Sequence, residues 1–129
     1  MRNGIFVLSL VMLLLCPASA DDTPQAKGSA TITVGDDTAT WPVWRCARVV
    51  IAHALPDDSI LEDPHLKLID YGDVIQMVLK LKGKNYLADV PAGQTMSDID
   101  YEGLATRINS ADMTNMGEVR FSMRVECNP

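Results

Sequence analysis

The sequence predicts a mainly β protein: a small antiparallel β-sandwich or half-barrel of about seven short strands, with room for one short helix and with one disulfide. Three observations carry that expectation. Short extended segments alternate with turn chemistry along the chain. The last of them, Val119 to Cys127, alternates apolar and polar residues in strict period two. Two cysteines, Cys46 and Cys127, remain once an apolar N-terminal segment is set aside.

That N-terminal segment has the three parts of a secretory signal. Arg2 supplies the positive start, Ile5–Cys16 is apolar apart from Ser9, and Ala18-Ser19-Ala20 is a small-x-small cleavage site. The apolar stretch is too short to span a membrane, which takes about 20 apolar residues. Cys16 offers a second reading, cleavage ahead of a lipidated cysteine. Such signals want a small residue before the cysteine, and Leu15 stands there instead. The expected order is therefore a signal peptide at 1–20, a polar leader at 21–28 and one β-rich domain at 29–129. Taking 20 residues from 129 leaves 109 and removes Arg2 but no acid, so the formal charge moves from −6 to −7. No other segment is apolar enough to span a membrane.

In the domain, Ser29–Val34 is β-branched and alternating, Gly35-Asp36-Asp37 supplies a turn, and Thr38–Trp44 resumes as an extended segment. Pro42 confines that segment to an edge or a bulge, because proline donates no ladder hydrogen bond. Cys46–Leu55 is ambiguous: Val49, Val50 and Ile51 favour a strand, whereas its alanines allow a short helix. Leu66–Asp70 and Val74–Leu81 read as strands around Tyr71-Gly72-Asp73. In the second, Ile75, Met77, Leu79 and Leu81 share one face, and Val78 interrupts an otherwise polar opposite face. Lys82-Gly83-Lys84-Asn85 is a hairpin loop and Tyr86–Val90 pairs back. Asp100–Ile108 is a further strand, and Asn109–Gly117 is a polar connection to the final one.

Export implies an oxidising compartment, where a Cys46–Cys127 disulfide would form and persist. The alternative is a free thiol or an intermolecular bridge, but no neighbouring charge pattern favours a reactive thiolate. The acidic balance excludes a nucleic-acid binder, which needs a basic stripe to neutralise phosphates.

Catalytic signatures are missing: there is no Gly-x-Ser-x-Gly, no phosphate-binding glycine loop and no His-Glu-x-x-His. The expectation is a non-enzymatic domain with no cofactor. Four constellations remain. His53, Asp57, Asp58, Glu62, Asp63 and His65 combine imidazoles and carboxylates of the kind that bind a divalent cation, or form a solvated acidic loop. Trp41 and Trp44 flank Pro42 and could stack on a glycan or peptide, although a spacing of three puts them on opposite faces of a regular strand. Lys80, Lys82 and Lys84 could meet an anionic partner, or guard a sheet edge against self-pairing. Met96, Met113, Met116 and Met123 read as gap-filling core.

The order of these features resembles the mycobacterial LpqH-type surface lipoprotein antigens. The stretch from Ser29-Ala30-Thr31-Ile32-Thr33-Val34-Gly35-Asp36 to Cys46 is similar to that family's opening hairpin and cysteine. Leu66 to Leu81, with Gly72-Asp73-Val74 at its centre, is similar to the family's middle strands. Tyr101-Glu102-Gly103-Leu104-Ala105-Thr106 and Phe121-Ser122-Met123-Arg124-Val125-Glu126-Cys127 are similar to its close. The resemblance implies a β-rich fold, the same disulfide, an envelope or surface location and no catalysis. Function is thus expected to be that of an exported envelope or surface binding domain, periplasmic, surface-exposed or secreted, with a protein or glycan partner. The alternative is a periplasmic inhibitor or immunity protein that blocks a hydrolase, since surface carboxylates steer onto basic enzymes.

Overall fold

Period-two alternation runs through most of the strands, β3 being buried over four consecutive residues, and the strands close into a ring. The computed structural model describes residues 25–54, 64–91 and 93–128. The signal segment and the carboxylates Asp57, Asp58, Glu62 and Asp63 lie outside the described residues. Eight strands run in order: β1 Gly28–Val34, β2 Asp37–Cys46, β3 Val49–His53, β4 His65–Asp70, β5 Val74–Leu81, β6 Lys84–Pro91, β7 Asp98–Ile108 and β8 Asn115–Cys127. Each pairs antiparallel with its chain neighbour, and β8 pairs back onto β1 to close the barrel.

This corrects the expected sandwich or half-barrel of seven strands. The ambiguous segment after Cys46 is a strand, not a helix, because its β-branched Val49, Val50 and Ile51 fit a ladder on both sides. The segment Asn115–Gly117, expected as loop, extends β8. Closure itself was not anticipated: β1 and β8 are far apart in sequence, and nothing local signals their pairing.

The inward residues fill the ring. Ile32, Leu66, Leu68, Met77, Leu79 and Val125 are fully buried or nearly so, with Trp41 and Phe121 among the larger groups beside them. Eight strands enclose an interior just wide enough for side chains to fill. The outer wall is mixed, with Val49, Ile51, Ile69, Val78 and Leu87 among its charged and polar residues, and its first hairpin carries two cross-strand threonine pairs, Thr31–Thr40 at 3.0 Å and Thr33–Thr38 at 2.9 Å. Pro42 meets its expectation: the β2–β3 ladder begins one residue later, at Val43, and shifts register before Arg45.

The up-and-down order puts the connections at two ends. Tight hairpins close one end at Gly35-Asp36 and Lys82-Gly83. Lys82 and Gly83 both have positive φ, 53° and 75°, as a two-residue type I′ loop requires. Lys82 Nζ reaches 2.9 Å across the mouth to Asp37, although the two turns are opposite in strand order. The other end holds the termini and the disulfide. Cys46 and Cys127, 81 residues apart in sequence, are bonded there. Their strands are not adjacent, since β1 runs between them. Gly28 sits under the bridge: a Cβ there would lie 2.0 Å from the Glu126 carbonyl oxygen. Lys27, expected in a loose leader, is already tied, its N–H to Val43 and its carbonyl to the Asn128 N–H.

Two stability predictions follow from this geometry. Closing so long a loop constrains the unfolded chain by about 4.5 kcal/mol on the chain-entropy model. Replacing both cysteines by serine should lower the urea unfolding free energy by about 2–5 kcal/mol; an unchanged midpoint and slope would contradict this. Lys82 holds a left-handed conformation that asparagine adopts more readily, and its ion pair is mostly exposed. Lys82→Asn should therefore raise the thermal midpoint, by an amount equivalent to about 0.5 kcal/mol.

Candidate functional site

With the interior occupied, chemistry and recognition fall to the wall and the rims. The sequence-derived candidates are dispersed over them. Trp41 points inward and is buried, whereas Trp44 points outward and is half-buried. Trp44 donates its indole N–H to the His53 carbonyl at 3.0 Å. The two rings therefore lie on opposite sides of the β2 wall and form no common platform.

The three lysines also part company. Lys80 stands on the outer face of β5, Lys82 pairs with Asp37 over the mouth, and Lys84 sits at the start of β6 beside Arg107. Lys80 guards no sheet edge, since β5 is paired on both sides. Of the four methionines expected in the core, Met123 is buried and Met96 packs against the core from its margin. Met113 and Met116 are instead 67% and 50% exposed, on the β7–β8 hairpin that projects past the ring.

Within the proposed cation cluster, His53 and His65 are opposite one another in the β3–β4 register. Among the described residues, no group of three or more histidine, cysteine or acidic side chains is placed to hold a metal. Inward positions on β3 are Val50 and Ala52, so His53 lies on the outer side of the wall. It is nevertheless fully buried, and neither ring nitrogen has a hydrogen-bond partner.

The most developed surface feature is one that sequence reasoning passed over. The β6–β7 ladder has only three register pairs, Asn85↔Ile108, Tyr86↔Arg107 and Leu87↔Thr106. Beyond them β6 continues to Pro91 and β7 back to Asp98 with no pairing. A depression of about 490 Å³ opens at the point of divergence, lined by Gln76, Leu87, Ala88, Asp89, Leu104, Thr106 and Ile108. Ala88 is an inward residue, so the depression reaches into the wall between the strands.

Local sequence explains the divergence. Pro91 has no N–H to offer. The 93–97 connection takes the β7 amides nearest it: the Asp98 N–H donates to the Thr95 carbonyl at 2.8 Å and the Asp100 N–H to Gln94 Oε1 at 3.3 Å. On the inner side the Tyr101 ring leans over Gly103, where an added Cβ would meet it at 2.8 Å, and stacks obliquely on Phe121 with centroids 5.9 Å apart.

The outer face of β7 reads Asp98, Asp100, Glu102, Leu104. Arg124 of β8 hydrogen-bonds Asp98 and lies 3.3 Å from Glu126, and these carboxylates hold its pKa above the ordinary arginine value, Asp98 first. Glu102, and Asp89 across the seam, have no ion-pair partner among the described residues. Leu104 is 56% exposed. Its apolar side chain at the fourth outward position of an acidic row was the available signal, as was Leu87 opposite Val78. The β7–β8 loop is separately organised: Thr114 donates its hydroxyl and its N–H to Asp112, which holds that carboxyl below its usual range.

Comparison of this chain with family models, with curated proteins and with solved structures finds no match to any of them.

His53 yields a prediction independent of any ligand. A buried polar group without a partner costs about 1–3 kcal/mol. His53→Leu should therefore hold or raise the unfolding free energy, by about 1 kcal/mol. A loss of that size, measured by urea titration, would show that the imidazole is needed where it stands.

Proposed function

We propose that the protein is an exported, non-enzymatic binding domain of the cell envelope or surface, acting through the outer wall of its barrel. One observation carries the reading: the interior is filled with apolar side chains, and the concave, chemically varied surface lies outside, at the β6–β7 seam. A ligand carrier of this architecture would instead keep its interior open. Charged side chains along the outer wall, among them Lys67, Lys80, Asp89, Asp100 and Arg124, run against the lipid-facing apolar band of a transmembrane β-barrel. No helix among the described residues is long and apolar enough to cross a membrane. The disulfide suits an oxidising environment. The signal segment at 1–20 and the resemblance to LpqH-type antigens support the same assignment.

A second reading, an inhibitor or immunity protein for a basic hydrolase, is favoured by the acidic wall. Asp98, Asp100, Glu102 and Glu126 stand on the outer face of β7 and β8 with Arg120 and Arg124 among them, which leaves that face two charges negative in a protein of net charge −6. Such a face raises association rates with cationic enzymes.

Immobilised protein should recover the same protein or glycan from repeated envelope extracts. The purified protein should show no turnover of ester, glycoside or peptide substrates. Turnover that disappears on unfolding the protein would overturn the reading. For the second reading, stoichiometric addition should suppress a basic lysozyme-type hydrolase, and unchanged rates across a panel of such enzymes would exclude it.

A further inference from the structure

We infer that the open β6–β7 seam is a strand-capture site, which takes an extended, basic segment of a partner protein by β-addition. The inference rests on the binding-domain reading above and names the partner's chemistry.

The backbone supplies the first argument. The amides of Asp98 and Asp100 point away from β8 and are taken by the 93–97 connection. Strand alternation turns the amides of Glu102 and Leu104 to the same side. There the register with β6 has ended, and neither residue has a ladder partner on that side. On the facing side, Asp89 follows the last paired residue of that parity, Leu87. Two half-strands thus present unpaired backbone groups to one depression, and an extended peptide satisfies such groups.

Side chains supply the second argument. Leu104, Leu87 and Ile108 give the depression an apolar floor suited to alternate aliphatic residues of an added strand. Asp89 lines it, and Glu102, two residues before Leu104 on the same outer face, stands beside it on the side of Arg120 and Ser122; neither carboxylate has an ion-pair partner among the described residues. Arg120 lies cross-strand from Leu104 but makes no ion pair with Glu102. The occupant that matches is a strand alternating aliphatic residues with Lys or Arg. A second copy of this chain does not match, because pairing two seams would set Glu102 against like charge.

The test uses the disulfide-bonded protein and a capped peptide of about ten residues alternating lysine and valine. Fluorescence anisotropy should show saturable binding, and hydrogen exchange at the Glu102 and Leu104 amides should slow by about tenfold or more. The same peptide N-methylated at each central residue, and a glutamate–valine counterpart, should bind at least about tenfold more weakly. Asp89→Lys/Glu102→Lys, changed only at exposed positions and checked for an unaltered unfolding midpoint, should weaken the basic peptide about as much. Equal binding of the N-methylated peptide would reduce the effect to surface charge and overturn the inference. So would unprotected Glu102 and Leu104 amides, or no binding. If the double variant still recovers the same envelope partner as the unchanged protein, the seam is wrong and the binding-domain reading stands. Substrate turnover would instead remove that reading whatever the peptide does.

Discussion

The β1–β8 ladder is the constraint on which the structure depends. Seven register pairs, Gly28↔Cys127 to Val34↔Phe121, join the first strand to the last and turn a meander into a ring. Without them β1 and β8 would each expose an edge, and the inward faces of Ala30, Ile32, Met123 and Val125 would lose their enclosure. The disulfide reinforces this closure from above: it spans β1, linking β2 to β8 over Gly28. That position takes no side chain, since the Glu126 carbonyl and the Cys127 Cα occupy the space a Cβ would need. Export chemistry and topology meet at one point, where an oxidising compartment secures the least local contact in the fold.

A ring closed so firmly at one ladder can tolerate weakness at another. The β5–β6 ladder has eight register pairs and the β7–β8 ladder ten, whereas β6–β7 has three. The difference has local causes: a proline without a donor at the end of β6, a glycine in β7, and a connection that hydrogen-bonds the amides β6 would otherwise receive. On the inner face of β7 the Tyr101 ring packs over Gly103 and against Phe121 of β8.

The strands were largely legible in the sequence, and the closure was not. Val74–Leu81 and Val119–Cys127 announced themselves by period two, and the disulfide followed from export and a cysteine count of two. Closure depends on β1 meeting β8, a long-range contact that no window of sequence contains. The same limit misdirected the search for a site. Lys80, Lys82 and Lys84 look like one cluster along the chain, yet a pleat, a turn and a rim send them three ways. Trp41 and Trp44 were correctly put on opposite faces by their spacing, but only the ring says which face is core. Leu104 was visible as an apolar residue in the outward register of an acidic strand, and its meaning required knowing that its neighbour on the β6 side is absent. His53 is the converse case: its burial on an outer wall has no signature in the sequence.

The disulfide end and the seam are mechanically connected through the 93–97 segment. The Cys127 N–H donates to the Ser97 carbonyl at 2.9 Å, and the Met96 carbonyl lies 3.8 Å from Cys46 Sγ. The adjoining residues Thr95 and Gln94 cap the Asp98 and Asp100 amides. The bridge therefore holds the segment that sets how far the seam extends along β7. With it in place, only the Glu102 and Leu104 amides face the gap. If it were opened, the ends of β2 and β8 that flank this segment would be free to part, and the caps on the Asp98 and Asp100 amides would have one restraint fewer. A longer unpaired edge is a hazard for self-association. In this protein the disulfide thus does more than constrain the unfolded chain, since it also lies beside the segment that bounds the β6–β7 opening in the folded one.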